Sequence, residues 1–129
     1  MADRAVIDAS AVAAMIFEEP EANQIRSAFD NYSLFAPFLL PVELANVCVK
    51  KIRRMPDRTA ELMRMHAVVP TLEIELFEVD QLSLPTLALQ HRLSAYDASY
   101  LLLALDHGTR LITLDRKLQT AFEAALRCH

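Results

Sequence analysis

Apolar and polar positions along the chain fall into short blocks whose period changes from one block to the next. Ala5, Val6 and Ile7 form a continuous apolar run ending on Asp8, the pattern of a short buried strand closed by a carboxylate. Residues 9–17 read as a helix rich in small apolar side chains, stopped near Pro20. A second helix is expected over residues 21–29, where Ile25 and Phe29 share a face, with Asp30 and Asn31 breaking it. Residues 34–36 make a short apolar strand bounded by Pro37. Pro41 suits the first turn of a helix, and Val42, Ala45, Val49, Ile52 and Met55 continue it as an apolar stripe up to Pro56. Residues 58–67 form another helix, closed by Pro70, and residues 72–76 alternate apolar and acidic side chains as a half-buried strand does. A helix follows over 84–93. Ser94 then caps a helix over 95–106, with Gly108 as its stop. Residues 111–114 are a buried strand, and Asp115 caps a last helix running to about Leu126.

Short strands alternating with helices predict an α/β fold with a central parallel sheet flanked by helices. In such sheets ligands bind beyond the carboxyl ends of the strands, where the strand order reverses. The 129 residues are read as one domain, long enough to bury a core without disulfides. Hydrophobic residues make up 53% and charged residues 23%, an ordinary globular composition.

Composition narrows the chemistry. The single glycine, Gly108, excludes a Walker loop and a dinucleotide-binding glycine motif, which need several. Cys48 and Cys128 make no disulfide framework and lack zinc spacing, which points to a reducing, cytoplasmic compartment. No signal-peptide pattern is present at the N-terminus, and no apolar run approaches the roughly 18 residues of a membrane span. The net charge of −4 argues against simple nucleic-acid binding through a basic surface. The strongest basic cluster is Lys50, Lys51, Arg53, Arg54 and Arg58, which a solvated helix face explains as well as a binding patch does. His66, His91, His107 and His129 show no paired spacing and read as surface or helix-end residues.

Four acids stand out by position. Asp8 and Asp115 end the first and last strands; Glu43 and Asp97 lie in first helical turns. Each alone is explained as a cap or a favourable charge at a helix start, and Ser94 with Asp97 fits a capping box. Yet they sit in sequence expected to be largely buried, where an unpaired carboxylate is costly. No lysine or arginine lies within three residues of Asp8, Glu43 or Asp97. The compensating charge is therefore either a distant arginine folding back or a bound divalent cation. Carboxylates without histidine or cysteine suit Mg²⁺ or Mn²⁺, and the matching chemistry is phosphodiester hydrolysis. Ser10 and Thr113, each two residues from one of these acids, are placed to bond a metal water or a phosphate oxygen, or simply to serve helix and strand. Asn46 is a weaker candidate. Tyr96 and Tyr100 suit base stacking or the core, with the core favoured for Tyr100.

These residues resemble the motifs of PIN-domain ribonucleases of the VapC type. Val6-Ile7-Asp8-Ala9-Ser10 resembles the opening motif, and Glu18-Glu19-Pro20-Glu21-Ala22 the segment after the first helix. Residues 36–46 resemble the segment that carries the site glutamate, Leu93-Ser94-Ala95-Tyr96-Asp97-Ala98 the third acid, and Leu111-Ile112-Thr113-Leu114-Asp115 the final strand. Five motifs in order across the whole length are specific together, though each alone is weak. The resemblance implies an α/β/α sandwich around a parallel sheet of four or five strands. It also implies Asp8, Glu43, Asp97 and Asp115 as ligands of Mg²⁺ or Mn²⁺, and endoribonuclease activity as the toxin of a toxin–antitoxin pair. A homodimer and a cognate VapB-like antitoxin are implied as well. With the acidic net charge, RNA binding would require basic residues such as Lys50, Lys51, Arg53 and Arg54 near the cleft or across a dimer.

Two other readings compete. A non-catalytic module would use the acidic pocket to receive a partner protein's basic side chains. Small-molecule phosphate chemistry would want D-x-D-x-T after the first strand, where this chain has Asp8-Ala9-Ser10-Ala11-Val12, or the paired early acids and late lysine of a receiver domain, which are absent.

Overall fold

The computed structural model describes residues 3–128, so His129 lies outside the described residues. Strand β1 (Asp3–Ile7) leads into α1 (Ala9–Ile16) and α2 (Ala22–Asn31); β2 (Tyr32–Pro37) then leads into α3 (Leu40–Arg54). A 3₁₀ turn links α3 to α4 (Thr59–His66), and a second precedes β3 (Ile74–Phe77). After a third 3₁₀ turn come α5 (Leu84–His91), α6 (Ala95–His107), β4 (Arg110–Ile112) and α7 (Arg116–Arg127).

All four strands are parallel, in the order β3-β2-β1-β4. The chain thus steps outward from β1 to β2 to β3, then returns to add β4 on the other side of β1. That reversal puts the switch point at the carboxyl ends of β1 and β4. α1 packs on α2 and α3, and α3 on α4; across the sheet α6 packs on β1, β2 and β4, with α5 and α7 against it. The result is the three-layer α/β/α sandwich.

Burial follows from this layering. Ala5, Val6 and Ile7 of β1 and Leu34, Phe35 and Ala36 of β2 are all buried, because a central parallel strand is covered on both faces. β3 is an edge strand whose side chains stay half-buried or exposed, which is why its sequence alternates. The core joins these strands to Leu44, Leu101, Leu118 and Phe122 of the helices.

Several boundaries differ from the sequence expectations for physical reasons. Asp30 and Asn31 do not break α2; they complete its last turn, and Tyr32 opens β2 directly. β4 stops at Ile112, so Thr113 lies past the strand, its hydroxyl engaged elsewhere. α5 ends at His91 because Arg92 turns left-handed, at φ 57° and ψ 43°. Among the described residues no helix is long and apolar enough to cross a membrane.

Candidate active site

Asp8 stands where β1 ends, with extended backbone, and caps α1. Its N–H donates to the carbonyl of Ile112 at 3.1 Å, which locks it to the end of β4. The side chain is only 4% exposed. Its Oδ1 accepts from the Ala11 N–H at 3.0 Å and from Ser10 Oγ at 2.7 Å, and its Oδ2 accepts from Thr113 Oγ1 at 2.6 Å. Each hydroxyl has one proton, and both are directed at Asp8. As acceptors, Ser10 Oγ takes the Leu114 N–H and Thr113 Oγ1 takes the Asp115 N–H, each at 3.0 Å. Ser10 is therefore not a helix cap and Thr113 not a strand filler. Together they tie the first acid to the loop that carries the last.

Asp115 caps α7, its Oδ1 accepting from the N–H groups of Lys117 (2.8 Å) and Leu118 (3.2 Å). Asp97 lies in the first turn of α6, and its N–H donates to Ser94 Oγ at 3.1 Å, so the capping interaction forms as the sequence suggested. Glu43 lies in the first turn of α3, whose second residue is Pro41. Its Oε1 accepts from the buried Tyr100 hydroxyl at 2.6 Å. The fold thus assembles at one place residues drawn from four helix starts, whose partial positive ends favour negative charge.

The acids sense one another. Burial pushes the Asp8 carboxyl above its ordinary range, against the hydrogen bonds that oppose it, and the charge of Asp97 adds to the rise. Burial likewise raises Glu43, reinforced by Asp97 and Asp8 and opposed by Tyr100. Burial and the neighbouring Asp115 raise Asp97, with Lys117 opposing. Burial beside Glu43 also holds the Tyr100 phenol firmly protonated, so Tyr100 is a fixed donor. No arginine folds back: among the described residues, no ion pair involves Asp8, Glu43, Asp97 or Asp115.

The donor set is all oxygen, with no histidine or thiol. Among the described residues no group of three or more Asp, Glu, His or Cys side chains is arranged to hold a metal ion. A hard ion that keeps several waters and takes one or two carboxylates fits such an open set; a zinc site would not.

Other expectations resolve differently. Asn46 is exposed. Tyr96 is 64% exposed, whereas Tyr100 is core and a partner of Glu43 at once. That contact spans 57 positions, and no local pattern signals it. Most of the basic cluster on α3 falls in its last turn. Arg53 is ten residues, or about 15 Å of helix axis, beyond Glu43. Lys51 instead pairs with Glu19 at 3.9 Å above the Phe17 ring, and Arg58 pairs with Glu61 at 2.8 Å.

Tyr100→Phe isolates the Glu43 contact. Losing the phenol removes the one hydrogen bond that holds Glu43 down, so the acid limb of any activity profile is expected to move to higher pH. Stability should change by only about 1 kcal/mol. A pH–rate profile superimposable on the parent's would show that Tyr100 only fills the core.

A parallel sheet with a chain of carboxylates at its switch point defines a class of acid-site α/β proteins, and comparison gives the family. The PIN-domain family model matches residues 5–123, and the chain belongs to the PIN-domain family. Ribonuclease VapC3 of Pyrobaculum aerophilum is 33% identical over 124 residues, covering 92% of this chain and 95% of that protein. The crystal structure of PAE2754, also from Pyrobaculum aerophilum, superimposes with a TM-score of 0.76 at 25% identity, over 99% of this chain and 96% of that one. VapC20 of Mycobacterium tuberculosis, described as a sarcin-ricin loop cleaving toxin, shares the fold at a TM-score of 0.67 and 13% identity, over 91% and 94% of the two chains.

Proposed function

We propose that the chain is a divalent-metal-dependent endoribonuclease that acts as the toxin of a VapBC-type toxin–antitoxin pair. The observation that carries this reading is the line of carboxylates Glu43, Asp8, Asp97 and Asp115: burial and acidic neighbours raise Glu43, Asp8 and Asp97, and among the described residues none of the four enters an ion pair. A structural role would favour neutralising them. The name of the 33%-identical relative, a ribonuclease, supports the activity.

In this reading Asp8, Glu43, Asp97 and Asp115 hold Mg²⁺ or Mn²⁺. When bound, the ion supplies an activated water and steadies the charge on phosphate oxygens. The chain's own residues do the positioning. Ser10, Thr113 and the Ala11 N–H fix both Asp8 oxygens, and Tyr100 fixes one oxygen of Glu43. With hydroxyl protons committed to Asp8, Ser10 and Thr113 act in catalysis by aiming that carboxylate. A VapB-like antitoxin would cover the site, a homodimer would be the working assembly, and two free thiols suit a reducing cytoplasm.

The test is cleavage of total RNA by purified, antitoxin-free protein with Mg²⁺, with Mn²⁺ and with EDTA. Discrete fragments that need the metal are expected. A folded protein that leaves intact transfer, ribosomal and messenger RNAs uncut with either ion would overturn the nuclease and favour a partner-binding module.

A further inference from the structure

Beside the acidic site lies a groove of about 360 Å³ between the end of α5 and the exposed face of α7. Its rim carries His91, Arg92, Arg116 and Lys117, and its floor includes Ala121 and Ala124. No acid lines it, in a chain whose net charge is −4. Arg92, Arg116 and Lys117 are exposed, and among the described residues none of the three enters an ion pair.

Two local rules are broken at this one place, by three residues. Arg92 adopts the left-handed conformation that ends α5, a position where glycine is the ordinary choice, as Gly108 is at the end of α6. Arg116 and Lys117 are the first two residues of α7, where positive charge opposes the helix dipole. Exposed positions carry no packing demand that would force these residue types. When several locally unfavourable choices converge on one concavity, function is the ordinary reason. The groove is also continuous with the acids: Arg116 and Lys117 directly follow Asp115, and Lys117 is close enough to Asp97 to lower its pKa.

We propose that this groove is the subsite for the RNA strand flanking the scissile bond, with Arg92, Arg116 and Lys117 on successive phosphates and the alanine floor against a ribose or base face. It rests on the nuclease reading above and supplies a cationic track directly following Asp115. The cations offset the repulsion between the acids and an incoming polyanion, so they act as positioning residues on substrate binding.

The test is binding of a fluorescein-labelled single-stranded RNA in EDTA, across a salt series, by the full chain and by Arg92→Ala/Arg116→Ala/Lys117→Ala. The variant is expected to bind at least about tenfold more weakly at low salt. Its log–log salt slope should be shallower by about 2, at roughly 0.7 per phosphate contact for a single strand. Lys50→Ala/Arg53→Ala/Arg54→Ala should stay within about twofold of the parent. The melting temperature of the groove variant should not fall, because the changes remove cations from a helix start. With Mg²⁺, the groove variant should raise KM far more than it lowers kcat.

Parent-like RNA affinity and salt slope in the groove variant would overturn the proposal. If the same variant lost binding to an acidic peptide instead, the groove would pass to a protein partner. The binding arm needs no turnover: a parent that binds RNA through the groove but never cleaves it upholds the groove and sinks the nuclease. Metal-dependent cleavage with unchanged binding in the groove variant does the reverse.

Discussion

Asp8→Asn is expected to lower metal-dependent RNA cleavage by about a hundredfold to a thousandfold while the fold survives. The two halves of that expectation have separate causes. Asp8 is the acid with the least freedom: three donors fix its two oxygens, so its charge sits at one place relative to β1 and β4. An amide of the same shape removes that charge and cannot replace it as a hard ligand. The fold survives because the surrounding hydroxyls can reverse. Thr113 can accept from the new amide nitrogen while still accepting from Asp115, and turn its proton to Ser10 Oγ, 3.3 Å away. The amide oxygen keeps Ala11 and Ser10. Cleavage assays beside a thermal melt decide the matter. Full activity from the variant would mean that the site is elsewhere; lost activity with lost folding would leave only a structural role.

The second large effect is thermal. Millimolar Mg²⁺ or Mn²⁺ is expected to raise the melting temperature near pH 7.5 by about 10 °C. An ion present at a hundred times its Kd stabilises the folded state by about 2.7 kcal/mol, and 1 kcal/mol shifts a chain of this size by roughly 4 °C. The metal-free protein should show the complementary pH dependence. Asp8, Glu43 and Asp97 all have raised folded-state pKa values, so the folded chain holds protons that the unfolded chain has released. Stability from this source is full below the ordinary carboxylate range and is lost as pH rises through the raised values. Lowering the pH through those raised values should therefore stabilise the metal-free protein, and the ion should flatten that slope. Differential scanning fluorimetry with and without EDTA reads both. A melting temperature indifferent to either cation would remove the metal from the site.

The site acids were legible because each coincides with an element boundary. Apolar runs locate strand ends: Asp8 falls directly after β1, and Asp115 three residues after the end of β4; Pro41 and Ser94 mark helix starts and so place Glu43 and Asp97. The lack of a basic sequence neighbour beside Asp8, Glu43 and Asp97 was legible too, but whether a distant arginine folds back onto them was not. What the pattern missed depends on distant pairing or on backbone choice. Thr113 was a candidate beside Asp115, but its partner Asp8, 105 positions earlier, was not legible. Tyr100 reads as core alone because hydropathy cannot see Glu43. Arg92 reads as an unremarked helical residue, since nothing in its type announces a positive φ. The α3 cluster, open on sequence between a solvated face and a binding patch, falls mostly in the last turn of its helix, whereas Glu43 is in the first.

The bond from Thr113 to Asp8 also sets a clock. Its two ends are 105 residues apart, and translation at about 5–20 residues per second separates their appearance by roughly 5–20 s. Through that interval the nascent chain carries Asp8 without the hydroxyl that aims it and without β4 beside it. The site is thus finished only after β4 and Thr113 have been made, so a chain cut short before them carries Asp8 but no assembled site.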